Sequence, residues 1–401
     1  MNEIKQKYLI NFWENKKGFI ALGVFSAAYF GIFAVNWGVT SEMTRLGGEF
    51  LELFGVDLSS YSYYQNLGLH GNATTRISGI MLLGMSIGCI VAALLANKVK
   101  FRLPASGLRV FQAIVGGLLS GFGARLAFGC NLGNFFSGIP YFSLHTWLFA
   151  LFMVLGIYLA VKITNTKFFK PKAKLVRVNK KDEGLEIHEK RAKFYFFLGI
   201  FVFVLFLSWL LYLLINYHDI NPSDRKSMLS LALVFGFIFG FIISKCQICF
   251  TSCFRDLFLF GRDSAIKGAI IGMMIATIIA FAFTLYGHEP KLTQLSLSVA
   301  VGAFLFGFGI VFAGACECGW AYRMWEGQSH FMIVGAANIA GTMILALSYD
   351  FFPQGFKEGV KINLLDSFSN LGGLALNLLF LLSMLILALA YKKYFFKRIQ
   401  K

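Results

Sequence analysis

The sequence predicts an all-α polytopic membrane protein with about 9–10 transmembrane helices in two related halves. Three observations support this prediction. Of the 401 residues, 57% are hydrophobic and only 14% are charged. The apolar residues occur in runs of about 20, which is the length that spans a hydrocarbon core. A glycine-rich segment of the first half also returns, in altered form, in the second half.

The repeat is formed by residues 116–134, GGLLSGFGARLAFGCNLGN, and residues 302–320, GAFLFGFGIVFAGACECGW. Aligned without a gap, the two segments share eight of nineteen positions, namely glycines, one cysteine and the apolar residues between them. The matching cysteines are Cys130 and Cys316. We infer an internal duplication in which these two thiols occupy equivalent places.

The apolar runs predict ten spans, which cover approximately residues 18–39, 77–96, 110–128, 147–163, 195–216, 227–248, 265–286, 295–313, 331–348 and 370–391. The longest polar stretch is too short to bury a core of its own, so we expect no large soluble domain. We divide the chain into a first transmembrane half over 1–163, a cytoplasmic basic linker over 164–194 and a second transmembrane half over 195–401. Within the long loop after the first span, we expect an interfacial helix near 48–56.

The net charge of +17 comes from basic residues that flank the apolar runs. Because they do not form one continuous face, we expect no nucleic-acid partner. They lie at both termini and after the second and fourth spans, so the positive-inside rule places both termini in the cytoplasm. We expect a multi-pass protein of the bacterial inner membrane, surrounded by the lipid bilayer.

Ten crossings in this register place the loop after Cys130 outside and the loop after Cys316 inside, which makes the two repeat units inverted. Segments 131–145 and 317–330 are interrupted by glycine and polar residues. Such backbone is tolerated at membrane depth only where it is buried in protein or lines a cavity. We therefore expect re-entrant half-helices, which in transporters meet near the midplane at the substrate site.

The seven cysteines lie mostly inside or at the ends of apolar runs, unlike a secreted disulfide framework. Membrane helices also use cysteine simply as a small hydrophobic residue. Cys246, Cys249 and Cys253 share one helix face by their spacing. Together with Cys316 and Cys318 they form an alternative thiolate metal site or iron–sulfur ligand set, although the four-cysteine ferredoxin spacing is missing. A redox pair of Cys246 with Cys249 lacks the βαβ pattern that accompanies such motifs.

Several ionisable residues lie at membrane depth, where charge is costly and usually functional. They are Arg125, Arg255, Asp256, Glu317, Arg323 and Glu326. A structural alternative stays open for two neighbouring pairs, 255 with 256 and 323 with 326, which would then be interfacial ion pairs.

Three segments resemble those of the YeeE/YedE family of sulphur-transport membrane proteins: GFGARLAFGCNLGNFFSGIPYFSLH, QICFTSCFRD and GFGIVFAGACECGWAYRMWEGQ. The match extends from INFW near the N-terminus to KINLLDSF near the C-terminus. It is closest to the YedE branch, which is associated with selenium metabolism. The resemblance implies inverted halves with re-entrant helices and, by likeness to YeeE, thiosulfate uptake along a path lined by cysteine thiols.

The resemblance implies four path cysteines, Cys89, Cys130, Cys249 and Cys316. The other three, Cys246, Cys253 and Cys318, fall outside the motif. The CNLG and ECGW variants differ from those of typical thiosulfate-uptake members, which leaves the substrate open between thiosulfate and a selenium compound. We add Arg125, Asn131, Glu317 and Arg323 as path residues. The arginines would balance anionic charge, and Glu317 would couple a proton or pair with an arginine.

We therefore predict a transporter, not an enzyme, that passes a small sulfur- or selenium-containing species along thiols. The alternative is a thiol relay or enzyme that carries sulfane sulfur or selenium as a cysteine persulfide or selenosulfide. A subunit of a membrane redox complex is a third class, which the absence of bis-histidine haem spacing disfavours. We expect no cofactor and no resident metal, and we count a small cytoplasmic sulfur-carrier protein among the candidate partners.

Overall fold

The computed structural model describes residues 5–169, 183–217, 225–290 and 292–399. Within these ranges the chain is α-helical, with short 3₁₀ and π-helical turns and no β-strand. The predicted all-α fold is thus confirmed. The basic linker expected over 164–194 lies partly outside the described residues, because 170–182 are not among them.

The α-helices in these ranges are α1 (Asn15–Phe33), α2 (Thr40–Leu53), α3 (Ser62–Leu67), α4 (Ile77–Leu95), α5 (Gly107–Leu126), α6 (His145–Thr164), α7 (Glu183–Asn216), α8 (Leu229–Cys246), α9 (Phe250–Phe260), α10 (Ser264–Leu285), α11 (Leu297–Ala313), α12 (Glu317–Trp325), α13 (Ser329–Ser348), α14 (Gln354–Lys357), α15 (Leu364–Phe368) and α16 (Asn370–Ile399). Ten helical stretches of this part of the chain are long and apolar enough to cross a membrane. Two of them join a long helix to a short one, α8 to α9 and α11 to α12. The ten predicted spans are therefore confirmed.

The first helix ends earlier than its apolar run. The run extends to residue 39, but α1 ends at Phe33 because Ala34 adopts the left-handed conformation, with φ of 53°. The chain then leads directly into α2, which begins at Thr40 and not near residue 48 as expected. Thr40, Met43 and several neighbours on α2 are buried, and the helix packs against α13. The helix expected over 48–56 therefore has different bounds: it begins at Thr40 and ends at Leu53.

The two halves pack reciprocally. Helix α1 packs on α10 as α8 packs on α4, and α5 packs on α13 as α11 packs on α6. Outside these pairs, α7 contacts α4 as α16 contacts α10. Equivalent helices such as α1 and α8 are five spans apart, and an odd number of crossings gives them opposite orientations in a membrane. The fold therefore consists of two related, inverted halves.

Helices α5 and α11 cross at the centre through paired glycines. A Cβ atom built on Gly116 would lie 2.8 Å from the carbonyl oxygen of Gly309, and one built on Gly309 would lie 2.8 Å from the carbonyl oxygen of Gly116. Gly123 and Gly302 oppose each other in the same way. Gly116 is the repeat equivalent of Gly302, and Gly123 that of Gly309, so the contact is symmetric. Only glycine allows the backbones to approach this closely.

Candidate functional site

Three cysteines lie at backbone breaks of the same shape. Cys130, Cys249 and Cys316 have extended backbone and directly precede the Asn131–Phe136 π-helix, α9 and α12, respectively. Two positions ahead of each cysteine, one residue is left-handed: Phe128 (φ 58°), Gln247 (φ 51°) and Gly314 (φ 82°). This conformation is costly for residues other than glycine, so the surrounding packing must hold it. Each break places its cysteine in the protein interior, where all three are buried.

Cys249, Cys316 and Cys318 form a cluster of free thiols, which we call the thiol cluster. The sulfur atoms of Cys249 and Cys316 are 3.7 Å apart, and those of Cys316 and Cys318 are 3.3 Å apart. The backbone N–H of Phe250 donates to the Cys316 sulfur at 3.2 Å. A Cβ atom on Gly319 would lie 2.6 Å from the Cys249 sulfur, so glycine is required there. The cluster joins the start of α9 to the start of α12.

Glu317 lies between Cys130 and the thiol cluster. It directly follows Cys316, and its carboxyl group interacts with the Cys130 thiol and with Asn338 of α13. Cys130 also lies beside the Thr40 hydroxyl at the start of α2. The two repeat cysteines are therefore brought toward each other through Glu317.

Buried polar atoms without a hydrogen-bond partner concentrate here. Within the described residues, no well-formed hydrogen bond reaches either carboxyl oxygen of Glu317, either amide atom of Asn131 or the Oδ1 atom of Asn338. The three side chains are at most 3% exposed. Buried polar groups are normally paired, so these atoms suit a ligand that passes between them. We call Asn131, Glu317 and Asn338 the polar junction.

A cavity of about 770 Å³ on the side of α2 and α3 reaches residues next to Cys130. We call it the vestibule. Its walls include Thr40, Gly129 and Gly133, which border Cys130, and three arginines, Arg45, Arg76 and Arg125. The lining residues described for it include no carboxylate. The vestibule is therefore suited to attract anions.

Arg125 is the vestibule arginine that is held by neutral groups. It is buried, and its Nε atom donates to the Tyr63 hydroxyl at 2.8 Å. That hydroxyl donates in turn to the Arg125 backbone oxygen at 3.1 Å. A longer bond of 3.4 Å runs to Ser41. No ion pair with a carboxylate is found for Arg125 in the described part of the chain, so its charge remains available.

The other two vestibule arginines are neutralised. Glu42 accepts from Arg45 at 3.2 Å and from Arg76 at 2.6 Å, and Arg76 also pairs with Glu49 at 2.6 Å. Burial acts to lower the pKa of Arg76, but the hydrogen bonds that Arg76 donates to Glu42 and Glu49 outweigh it and raise that pKa. This network fixes α2 against the start of α4, so its role is structural.

Arg323 and Arg255 lie behind the thiol cluster. Both donate to the backbone oxygen of Gly314, at 3.4 Å and 3.3 Å. Arg255 also pairs with Asp256 at 2.9 Å, as the structural alternative expected. Arg323 instead donates to the Tyr322 hydroxyl at 2.9 Å. No ion pair between Arg323 and Glu326 is found where the structure describes the chain, so that alternative does not hold for this pair.

The remaining cysteines lie apart from these contacts. The Cys89 thiol donates to the backbone oxygen of Gly240 at 3.3 Å, in the α4–α8 interface. No sulfur–sulfur contact of Cys89 is found among the described residues. Cys246 is buried where α8 meets Gly18 of α1, and Cys253 is buried on α9. Within the described ranges no group of three or more His, Cys, Asp or Glu side chains is arranged to hold a metal ion.

Sequence reasoning missed two parts of the site. Cys318, which falls outside the family motif, lies within the thiol cluster; its two-residue spacing from Cys316 across a helix start was the available signal. Tyr63, which fixes Arg125, lies on the short helix α3, whose approach to α5 has no sequence signal.

Two inverted halves with interrupted helices, a basic vestibule and buried thiols at the helix breaks define a membrane transporter. The chain belongs to the sulphur transport family, whose model, described as Sulphur transport, matches residues 2–159 and 245–401. The resemblance found in the sequence motifs is confirmed.

Individual relatives agree with this membership. The chain is 43% identical over 397 residues to the probable transporter YedE of Escherichia coli (strain K12), covering 99% of this chain and 96% of the relative. It is equally similar, 43% over 395 residues, to the protein of the same name from Salmonella typhimurium, covering 98% and 96%. A thiosulfate transporter, TsuA of Spirochaeta thermophila, is 38% identical over 89 residues, which are 22% of this chain and 27% of that protein.

Proposed function

We propose that this protein carries a small sulfur oxyanion of the thiosulfate type, or a selenium compound of similar size, along cysteine thiols through its centre. One observation carries the proposal: the vestibule borders the Cys130 turn, and Glu317 contacts the Cys130 thiol and directly follows Cys316 of the thiol cluster. Local similarity to TsuA, a thiosulfate transporter, supports a sulfur oxyanion as substrate.

Charge in the vestibule would attract the substrate. Moving a dianion into hydrocarbon costs tens of kcal/mol if nothing replaces its water. Arg125 has no carboxylate partner among the described residues and faces the vestibule beside the Cys130 turn. Its guanidinium group would balance part of the anionic charge before the substrate reaches the first thiol. The N-termini of α9 and α12 add roughly 0.3–1 kcal/mol each for an anion nearby.

Thiols suit a path because they hold a substrate weakly. The S–H group is a weak hydrogen-bond donor and a polarizable neighbour for a soft sulfur or selenium atom. Conduction needs several weak sites rather than one tight site. Cys130 and the thiol cluster would form two such stations, separated by the polar junction. Cys89, which is bonded to backbone in the α4–α8 interface, would contribute a peripheral contact on the cytoplasmic side.

Orientation follows from the basic residues. We propose that the protein lies in the bacterial inner membrane with both termini in the cytoplasm. The vestibule would then face outward and the thiol cluster inward. A groove on the inner face is lined by Lys267, Lys392, Lys393 and Lys397 beside Asp263. Its charge would suit an acidic surface of a small sulfur-carrier protein.

Uptake measurements test the substrate. Purified protein in proteoliposomes is offered labelled thiosulfate, selenite and sulfite separately, with protein-free liposomes as the control. We expect protein-dependent flux of thiosulfate, and the ratio of the three fluxes gives the preference between sulfur and selenium. If none of the three anions crosses faster than in empty liposomes, the proposal is wrong.

The thiol cluster also favours a second function, a covalent relay. A thiolate at Cys316 would attack the sulfane sulfur of thiosulfate, the sulfur–sulfur bond of thiosulfate would break, and sulfite would leave with the bonding electron pair. The product is a cysteine persulfide. Cys318 lies 3.3 Å away and could accept the sulfur next.

Mass spectrometry after exposure to thiosulfate decides between the two functions: the relay predicts one added sulfur atom on Cys316 and released sulfite, and transport without covalent chemistry predicts neither.

A further inference from the structure

We propose that Glu317 is the proton-binding residue of the path, so that each anion passing from Cys130 to the thiol cluster moves together with one proton. The inference rests on the proposed function, because it assigns the coupled ion to the same route. The proton would come from water on the vestibule side, bind a carboxyl oxygen of Glu317 and return to water beyond the thiol cluster.

The surroundings of Glu317 leave its charge uncompensated. The side chain is 3% exposed, and in the part of the chain that the structure describes its carboxyl group faces the neutral Cys130 thiol and Asn338 amide without a well-formed hydrogen bond to either oxygen. No ion pair of Glu317 with an arginine or lysine is found there. A carboxyl group in such a place must either bind a proton or have its negative charge balanced by a positive charge that arrives. An ordinary structural carboxylate would instead be paired, as Glu42 is with Arg45 and Arg76.

The titratable groups around Glu317 are nearly all thiols. The Cys130 thiol faces it from the first half, and Cys249, Cys316 and Cys318 lie at the starts of α9 and α12. Arg125 of α5 acts on it electrostatically but is held by Tyr63 and Ser41. Arg323 of α12 is bonded to Tyr322, and His330 of α13 to the Ala313 oxygen. None of these groups supplies a fixed counter-charge in contact with the carboxyl group.

The same position of the substrate path must admit an anion. A fixed negative charge on Glu317, between the two thiol stations, would repel a passing oxyanion. Arg125 would then attract the anion only as far as this repulsive carboxylate. A protonated carboxyl group removes the repulsion and offers a hydrogen-bond donor to the anion. Anion passage and proton binding at Glu317 therefore favour each other, which is the basis of coupling.

The repeat supplies an internal comparison. Asn131 follows Cys130 as Glu317 follows Cys316, and its amide atoms are also buried without partners in the described structure. One half of the path thus carries a neutral amide where the other carries an ionisable carboxyl group. Replacing Glu317 by glutamine places an amide in both halves, with nearly unchanged shape.

Thiosulfate is the probe for the test, because as the anion of a strong acid it carries no proton of its own at neutral pH. Wild-type protein in proteoliposomes with an entrapped pH-sensitive dye receives a thiosulfate gradient, and labelled thiosulfate flux and proton flux are measured together. We expect about one proton per thiosulfate, and thiosulfate flux that falls by up to about tenfold per pH unit on the alkaline side, the limit for one titrating group.

Glu317→Gln removes the titrating group from the path, so the number of protons per transported thiosulfate should drop at least tenfold and the pH dependence of the remaining thiosulfate flux should flatten. Glu326→Gln is the matched control. Glu326 is a buried carboxylate near the end of the same helix, but it accepts hydrogen bonds from Gln247 and Gln328, so its variant should behave as the wild type.

Thiosulfate flux without proton flux in the wild type overturns the inference while leaving the proposed function intact, as does an unchanged stoichiometry in Glu317→Gln. If Glu317→Gln does not assemble, the wild-type stoichiometry still decides, and Glu317→Asp should retain proton flux. Absence of thiosulfate flux through the wild type overturns thiosulfate as the substrate and with it this inference, and the selenite and sulfite fluxes then decide the proposed function.

Discussion

The thiols of Cys249 and Cys316 lie 3.7 Å apart, although 67 residues separate them in the chain. A disulfide bond requires about 2.05 Å between the sulfur atoms, so both groups are free thiols brought together by two helix starts. Cys316 contacts a second sulfur, that of Cys318, at 3.3 Å. Cys316 is therefore the central member of the thiol cluster.

Mild oxidation should close the path. We expect diamide, which takes up two electrons and two protons from a pair of thiols, to link Cys316 to Cys249 or Cys318 and to stop thiosulfate flux. Loss of the S–H donors is the physical reason, and dithiothreitol should restore the flux. Peptide mapping checks the partners: cross-linked peptides that lack Cys316, or full flux after cross-linking, would contradict the cluster geometry. Cys246 serves as an internal control and should stay reduced.

Arg125 should set the apparent affinity for the anion. Arg125→Gln removes a charge-assisted interaction worth about 1.5–3 kcal/mol, so we expect the KM for thiosulfate to rise by roughly tenfold to a hundredfold. Arg125→Lys keeps the charge but not the fork-shaped contact with Tyr63, so its KM should lie between that of the wild type and that of Arg125→Gln. Arg102, which is exposed and forms hydrogen bonds to residues 327 and 329 through its backbone, gives the control Arg102→Gln. If Arg125→Gln and Arg102→Gln raised the KM for thiosulfate equally, the assignment of Arg125 as the anion-attracting residue of the vestibule would be wrong.

The α5–α11 crossing should not tolerate added volume. Gly116→Ala and Gly309→Ala each place a methyl group against the backbone of the partner helix, and we expect a loss of about 1–3 kcal/mol in each case. The two substitutions widen the same contact, so the double variant should lose less than the sum. Thermal unfolding in detergent measures this. Gly107→Ala, at a position with open space, is the control, and a comparable loss there would point to a helix-wide effect instead.

Asp263 should make stability depend on pH in acid. It accepts from Lys392 at 3.0 Å and pairs with Lys267 at 2.5 Å. Burial acts to raise the pKa of Asp263, but the two lysines outweigh it and lower that pKa below its usual range. A carboxyl group whose pKa falls on folding stabilises the protein above its unfolded pKa of about 3.9, and this contribution disappears as pH falls through the folded pKa.

We therefore expect Asp263→Asn to unfold at a lower temperature than the wild type at pH 7, by the equivalent of about 1 kcal/mol, because solvent screens the two half-exposed lysines. The difference should shrink as the pH is lowered toward 3. Asp366→Asn, an exposed carboxylate at the start of α15, is the control. A difference that grows on acidification would reverse the sign of the argument.

Much of the fold was predictable because membranes impose simple rules. Span length, basic flanks and the glycine pattern around Cys130 and Cys316 are local in the sequence. Each directly indicates which segments cross the membrane or which helices pack closely in the interior. The end of α1 was not predictable in this way, because residues 34–39 are as apolar as the helix before them. A left-handed Ala34 ends the helix there, and only tertiary packing selects that conformation.

The site was predictable as a set of cysteines but not as a geometry. The repeat marks Cys130 and Cys316, whereas the position of Cys318 depends on how α12 starts. The contact of Tyr63 with Arg125 joins segments 62 residues apart. The sequence also could not predict whether Glu317 pairs with an arginine, because an ion pair depends on the distances between side chains and three arginines lie near Glu317 in the sequence or the fold.

The most direct test of the thiol path compares thiosulfate flux through Cys130→Ala, Cys316→Ala and the control Cys246→Ala in proteoliposomes, each at matched amounts of folded protein. The path predicts that both repeat variants lose nearly all flux, because each removes one weak station, and that Cys246→Ala keeps it. Near wild-type flux through both Cys130→Ala and Cys316→Ala would contradict the account.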